Sequence, residues 1–439
     1  MIDQTDSREK ARLRVDSRLV AAVVLVILLL LLLVLRCQQP QQTRYFVERE
    51  VLLSGPPAQI DAVVRQVARD LANQGVELQL VERIALEFLS QVPPGCDALA
   101  AVLAGSDEYV VDRYTFAGGD LAVEEMVRRL QEAAGDRPVR PEPNYLTSSP
   151  WSIAGSPWSI AGSPWSIAGS PWSIAGSPWS IAGSPAGTAV SAMANAAFRD
   201  QWAFGKDGIR LATAGERSLG RGVLVAIMDT SPFPVTVSRI YLATDPPFEM
   251  DLQHMLPGGP FTHAEDAPDI RDHGLFAAGL VHAVAPESEI RLVRVLDDTG
   301  QGDLQTLNRA IVAFIDEVIS RRGTPESQQG AGLRGAVMNL SLGVHPPPDA
   351  EEQGLPEEIS SLQTILAAAQ CLDIVTVAAA GNDSAEAESP YPAQIPASWS
   401  STIGVAASNI RQQRACFSNK GDIAAPGGDG KRSEKDPTK

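Results

Sequence analysis

Gly222-Val223-Leu224-Val225-Ala226-Ile227-Met228-Asp229 is a short apolar run that ends in a carboxylate. It is too short for most helices and carries β-branched residues at alternate positions, so it reads as a strand buried on both faces, as in a parallel sheet. Glu289 to Leu296, Gly335 to Asn339 and Asp373 to Ala379 repeat the pattern downstream. Helical spacing lies between these runs. Leu304, Leu307, Ile311, Phe314 and Val318 follow Asp303, and Ile359, Leu362, Leu366 and Ala369 mark a second helix. The alternation predicts an α/β fold over residues 199–439, a doubly wound parallel sheet whose site forms outside the carboxyl ends of its strands.

Residues 44–146 read differently. Arg44 to Leu53 is strand-like, Ile60, Val63, Val67 and Leu71 recur at helical spacing, and Val76 to Leu89 is β-rich. Glu108 to Phe116 then looks extended, Asp120 is placed to cap a helix through Ala134 with Leu121, Met126 and Leu130 inward, and Pro138 to Leu146 is extended again. The order β-α-β-β-α-β predicts a small α+β domain of the ferredoxin-like type.

Residues 147–198 join the two regions and contain five copies of Trp-Ser-Ile-Ala-Gly-Ser-Pro, starting at Trp151, Trp158, Trp165, Trp172 and Trp179. A Pro and a Gly in every seven residues exclude a coiled coil. The repeats read as a linker, averaging ~33 Å between its ends as a flexible coil; the competing reading is that the periodic Trp residues bind a sugar or wall polymer.

At the N-terminus, Leu19 to Leu35 is an unbroken apolar run, at the short end of what crosses a hydrocarbon core of ~30 Å. No small-residue cleavage site follows it, which favours an uncleaved transmembrane signal anchor over a signal peptide. Arg8, Lys10, Arg12, Arg14 and Arg18 precede the span, which orients residues 1–18 to the cytoplasm and everything after residue 36 outside.

The 439 residues carry 36 Lys plus Arg against 53 Asp plus Glu, a net charge of -17 that repels nucleic acid and anionic lipid. Cys37, Cys96, Cys371 and Cys416 stand singly, without zinc-site spacing or the density of a disulfide scaffold. No cofactor is expected. The cluster Glu265, Asp266, Asp269 and Asp272 could hold calcium, but a solvated acidic face is the better reading of it.

Three polar residues fall at the ends of the predicted strands. Asp229 closes the first, His273 opens a small-residue helix in Asp272-His273-Gly274-Leu275-Phe276-Ala277-Ala278-Gly279, and Asn382 follows Val377-Ala378-Ala379-Ala380-Gly381. Singly, they read as a turn or cap Asp, a structural His and an Asn tolerating a left-handed turn. Together, in this order, they resemble the subtilisin-like serine proteases of the peptidase S8 family. Ala283-Val284-Ala285-Pro286, Asn339-Leu340-Ser341-Leu342-Gly343, Tyr391-Pro392-Ala393, Phe417-Ser418-Asn419 and Ala425-Pro426-Gly427 match further motifs of that family, so the resemblance spans about residues 200–427. Glu142-Pro143-Asn144-Tyr145 is similar to the end of the family's inhibitory propeptides.

The resemblance implies peptide-bond hydrolysis in polypeptide substrates. His273 would be the general base, Asp229 would orient it, and Asn382 would donate to the oxyanion. Substrate would add as a strand along Ser341, Leu342 and Gly343. Residues 44–146 would be an intramolecular inhibitor, cut free soon after Tyr145, and Cys371 and Cys416 would be buried thiols. Asp229-Thr230-Ser231 and His273-Gly274-Leu275-Phe276-Ala277-Ala278-Gly279 vary the family's motifs while keeping the catalytic positions, and one departure is serious: no Gly-Thr-Ser-Met-Ala motif occurs anywhere, and the chain continues after Gly427 with polar residues to Lys439. The expectation is a protease domain truncated before its serine and inactive as it stands; the alternatives are a binding-only pseudoprotease or a membrane-tethered inhibitor of another protease.

Overall fold

The computed structural model describes residues 45–149 and 219–427, apart from 94, 97–98, 100–107, 243–246, 257–269, 324–331, most of 345–358 and 385–388, together with Ala203 and Ile209. The expected membrane span 19–35, the repeat segment and the acidic cluster 265–269 lie outside the described residues. Among the described residues no helix is long and apolar enough to cross a membrane, and no group of acidic, His and Cys side chains has metal-site geometry.

The N-terminal domain runs β1 (Phe46–Gly55), α1 (Pro57–Ala72), β2 (Glu77–Ala85), a 3-10 turn (Glu87–Gln91), β3 (Val110–Ala117), α2 (Val123–Ala134) and β4 (Arg140–Ser148). Its strands form an antiparallel sheet in the order β4-β1-β3-β2, the arrangement expected from the β-α-β-β-α-β reading. One boundary moves: Asp120 caps nothing, because α2 begins at Val123 with Ala122 as its N-cap.

β1 carries Val51-Leu52-Leu53, and all three are fully buried. Val51 and Leu53 face α1 and α2, whereas Leu52 belongs to the core built around the other domain. An antiparallel sheet with one helical layer needs apolar residues on one face only. Both faces here are apolar because both are covered, the second by helices of the other domain.

That domain holds an eight-stranded sheet in the order β14-β13-β12-β10-β5-β8-β7-β6. The strands are β5 (Val223–Asp229), β6 (Arg239–Leu242), β7 (Phe248–His254), β8 (Glu289–Arg294), β10 (Gly335–Leu340), β12 (Ile374–Ala379), β13 (Ile403–Ser408) and β14 (Ile423–Pro426). All pairings are parallel except β6 with β7. Helix α3 (His273–Val284) packs on one face against Val225, Ile227 and Leu292. On the other, α4 (Leu304–Arg322) and α5 (Ser360–Cys371) cover Leu224, Ala226, Met228 and Met338. The expected doubly wound parallel sheet is thus present, with β6, β7, β13 and β14 in addition to the strands read from the sequence.

Coverage is uneven. On the α3 side of β12, β13 and β14, Val375 is 44% exposed, Ile403 38% and Ile423 55%. The register Val377↔Ile403 and Val405↔Ile423 puts these alternate residues on one face. An apolar face exposed across three strands marks a surface built to be covered.

The cysteines require a correction. Cys371, read as a buried thiol, is bonded to Cys96 in the N-terminal domain, with the Cα atoms 6.0 Å apart and 275 residues between them in sequence. Only tertiary folding brings the two together. Cys416 is a half-buried thiol.

Candidate active site

Asp229 is the last residue of β5, fully buried at the carboxyl end of the sheet where the chain crosses from one side of β5 to the other. Its backbone carbonyl accepts hydrogen bonds from Val295 and Leu296 N–H (2.9 and 3.3 Å), which locks the strand end. His273 is the first residue of α3, and its Nδ1 lies 2.9 Å from both carboxylate oxygens of Asp229. A carboxylate only accepts, so Nδ1 carries the proton and Nε2 is left as the basic nitrogen. Burial disfavours the imidazolium, but the charge and hydrogen bond of Asp229 outweigh it, and the pKa of His273 is raised above 6.5. Such a pair can take a proton from a nucleophile and stabilise the cation that forms.

Thr230 fixes this geometry, a role its motif position alone did not reveal. Its hydroxyl reaches the carbonyls of Ile270 (3.1 Å) and Arg271 (2.9 Å) and accepts from Gly274 N–H (3.1 Å). The start of α3 is thereby fastened to the end of β5. Gly274 permits the contact: a Cβ there would lie 2.3 Å from the carbonyl oxygen of Thr230 and 2.9 Å from Cβ of Asp229. Gly274→Ala is expected to cost about 1–3 kcal/mol of stability by overpacking and to pull His273 from Asp229. Urea unfolding and the imidazole NMR shifts of His273 check this, and a wild-type midpoint with an unshifted ring would contradict it.

Asn382 sits in the loop leaving β12, on the same carboxyl edge of the sheet. Its loop is braced by Asn419, whose Oδ1 accepts from Asp383 N–H (3.0 Å) and the Ser384 hydroxyl (2.8 Å) and whose Nδ2 donates to Asp383 (2.9 Å). Gly381, at φ +105, leaves room for Asn419 and Gln394, which a Cβ would meet at 2.6 Å. Asn419 stood in the sequence only as part of a motif; the structure gives it this bracing role.

Ser341, Leu342 and Gly343 follow β10, with the Ser341 hydroxyl accepting from Asn339 (2.9 Å). Gly343–Val344 forms a short strand, β11, and Gln301–Asp303 forms another, β9. Asp297 shapes the approach to β9 by accepting from Thr299 and Gln301 N–H. The end of β4 runs between these two strands. Leu146, Thr147 and Ser148 pair with Asp303, Gly302 and Gln301 on one side, while Thr147 and Ser148 pair with Val344 and Gly343 on the other. Ser149 N–H continues the ladder to Gly300 O (2.9 Å). Thr147 and Ser149 are fully buried in this cleft. Thr147 rests where Gly302 lacks a side chain, and Ser149 packs beside Gly300 and Ile270, three residues before His273.

Other residues of the same strand fasten the domain. Helix α5 has no side-chain cap of its own, and the carboxylate of Glu142 accepts the N–H groups of Ser360 (2.7 Å) and Ser361 (3.1 Å). Asn144 accepts from Gln305 N–H (3.1 Å) at the start of α4, beside the helix's own cap Asp303. Free N–H groups at the N-termini of two helices of one domain are therefore satisfied from the other. Burial pushes the carboxyl of Glu142 up to about 7, against the pull of the Ser361 side chain and the two N–H groups. Tyr145 beside it is fully buried, and its hydroxyl pKa is likewise raised by burial.

The sequence model of the subtilase family matches residues 220–439, half of the chain. The chain belongs to the subtilase family. Similar proteins include the subtilisin-like protease PopC of Myxococcus xanthus, 27% identical over 46% of this chain and 41% of that protein, and a subtilisin of Bacillus pumilus, 33% identical over 39% of this chain and 57% of its own length. Subtilisin E of Bacillus subtilis is 32% identical over 39% of this chain and 41% of its own. The chain thus spans about half the length of these relatives. The Asp229–His273 pair and the cleft between β9 and β11 both fall within the matched subtilase segment.

Proposed function

We propose that this subtilase is a serine endopeptidase held inactive by its own N-terminal domain. The observation that carries the reading is the strand Leu146–Ser149, hydrogen-bonded on both sides between β9 and β11 in the manner of a bound polypeptide and ending beside the helix that bears His273. Polypeptides would enter as the strand that β4 now supplies. His273 acts as general base, Asp229 holds its tautomer, and Asn382 donates to the oxyanion. The nucleophile is assigned to a segment following residue 439, whose helix covers the apolar face of β12, β13 and β14. Because Tyr145 is buried and the ladder runs on to Ser149, the cut that separates the N-terminal domain from the rest of the chain is assigned beyond Ser149, not directly after Tyr145. Residues 19–35 anchor the uncut chain in the membrane on this reading.

The strand seated between β9 and β11 also fits one competing reading, a protein that binds polypeptides without cleaving them. Chemistry separates the two. Residues 1–439 are expected to take up no fluorophosphonate label and to leave casein intact, whereas the product of the extended reading frame labels at a serine and cleaves it. An extended product that does neither supports the binding protein. Labelling of residues 1–439 themselves would show a nucleophile elsewhere in the chain.

A further inference from the structure

The bond between Cys96 and Cys371 crosses the boundary between the two domains. Cys96 lies in the connection from β2 to β3, and Cys371 is the last residue of α5. The N-terminal domain therefore holds α5 at both ends, through the Glu142 carboxylate at its N-terminus and through a covalent bond at its C-terminus. Cys96 and Cys371 are each half-buried.

We propose that this disulfide is a redox latch: it retains the N-terminal domain on the protease after the connecting segment is cut, so that the cleft opens only when a dithiol reduces it. The proposal rests on the reading of Leu146–Ser149 as a removable occupant of the cleft. Cutting between residues 149 and 219 leaves the Cys96–Cys371 bond as the covalent tie between the two pieces. A tethered strand then stays at an effective concentration of order millimolar and rebinds faster than a free competitor can enter. In the reduction, a thiolate of the dithiol attacks one sulfur of the pair to form a mixed disulfide, and its second thiol resolves that bond. Two electrons and two protons pass to the protein, leaving Cys96 and Cys371 as thiols and the dithiol as a cyclic disulfide.

The test uses the full chain with a site-specific protease sequence in place of one Trp-Ser-Ile-Ala-Gly-Ser-Pro unit. After cutting, a denaturing gel without reductant is expected to show one species, and with dithiothreitol two. Under native conditions the oxidised cut protein retains its N-terminal piece through gel filtration, whereas dithiothreitol, or Cys96→Ser in the same chain, releases it roughly tenfold faster or more. Two species on the non-reducing gel overturn the proposal, as does equal retention with and without reductant. Hydrogen exchange at residues 301–303 and 343–344 of the uncut chain distinguishes the latch from the occupied cleft. Protection there with retention indifferent to reductant removes the latch and leaves the occupied cleft standing, while no protection removes the occupied cleft itself.

Discussion

Asp229→Asn is expected, on the proposed endopeptidase reading, to lower kcat by about 10⁴ in any longer product that carries a nucleophilic serine, as loss of the orienting carboxylate does in other serine-protease triads. The amide keeps the size of the side chain but donates from one position, so His273 loses the acceptor that keeps its Nδ1 protonated. The consequence can be measured in residues 1–439 alone, because an NMR titration of His273 needs no nucleophile. Burial already disfavours the imidazolium, and without the charge of Asp229 its pKa should fall below that of the wild type. Since the folded-state pKa is raised, the stability the pair contributes is fully present below pH 6.5 and is lost as the pH rises through the raised value. That loss should vanish in Asp229→Asn. An unchanged His273 titration would show that Asp229 does not govern the ring.

Glu142→Ala should loosen the N-terminal domain by roughly two orders of magnitude, because two helix N–H groups then lose a buried acceptor at about 1–3 kcal/mol each. The readout is release of the cut N-terminal piece, measured in dithiothreitol so that the Cys96–Cys371 bond does not mask it. The wild type should also be pH-dependent. The carboxyl pKa rises from 4.5 to about 7 when buried, so docking binds a proton, is strongest below pH 4.5 and weakens as the pH climbs through 7. The full swing is about 3 kcal/mol. Glu142→Gln keeps an acceptor and cannot ionise, so its release should be flat across that range. A wild type whose release is equally flat would mean that the two N–H groups hold Glu142 ionised throughout.

How these two carboxylates announced themselves in the sequence differs. Asp229 follows an apolar run that can only be a buried strand, and a charge at the end of such a strand in a parallel sheet falls on the edge where sites form. Glu142 stood only in a short motif within a segment read as extended. Its role depends on Ser360 and Ser361, more than two hundred residues away, and on α5 starting after Ile359, a residue that cannot cap. The missing cap shows only in the structure, because Ser360 and Ser361 are themselves capping residue types in the sequence. Val51-Leu52-Leu53 hinted at a second covering layer, since an antiparallel strand with one buried face alternates, but not at which surface supplies it.

The sequence by itself determined the types and order of the main elements in both domains and singled out Asp229 and His273, which the structure pairs, because burial periodicity and short motifs are written within a few turns of chain. Tertiary structure alone decided that Leu146–Ser149 fills the cleft between β9 and β11, that Glu142 and Asn144 cap helices of the other domain, and that Cys371 pairs with Cys96. Each of these joins groups that are remote in sequence, and their meeting is fixed by how two apolar surfaces pack against each other. No local pattern encodes that packing, so it became legible only when the second face of β1 was found buried against α4 and α5.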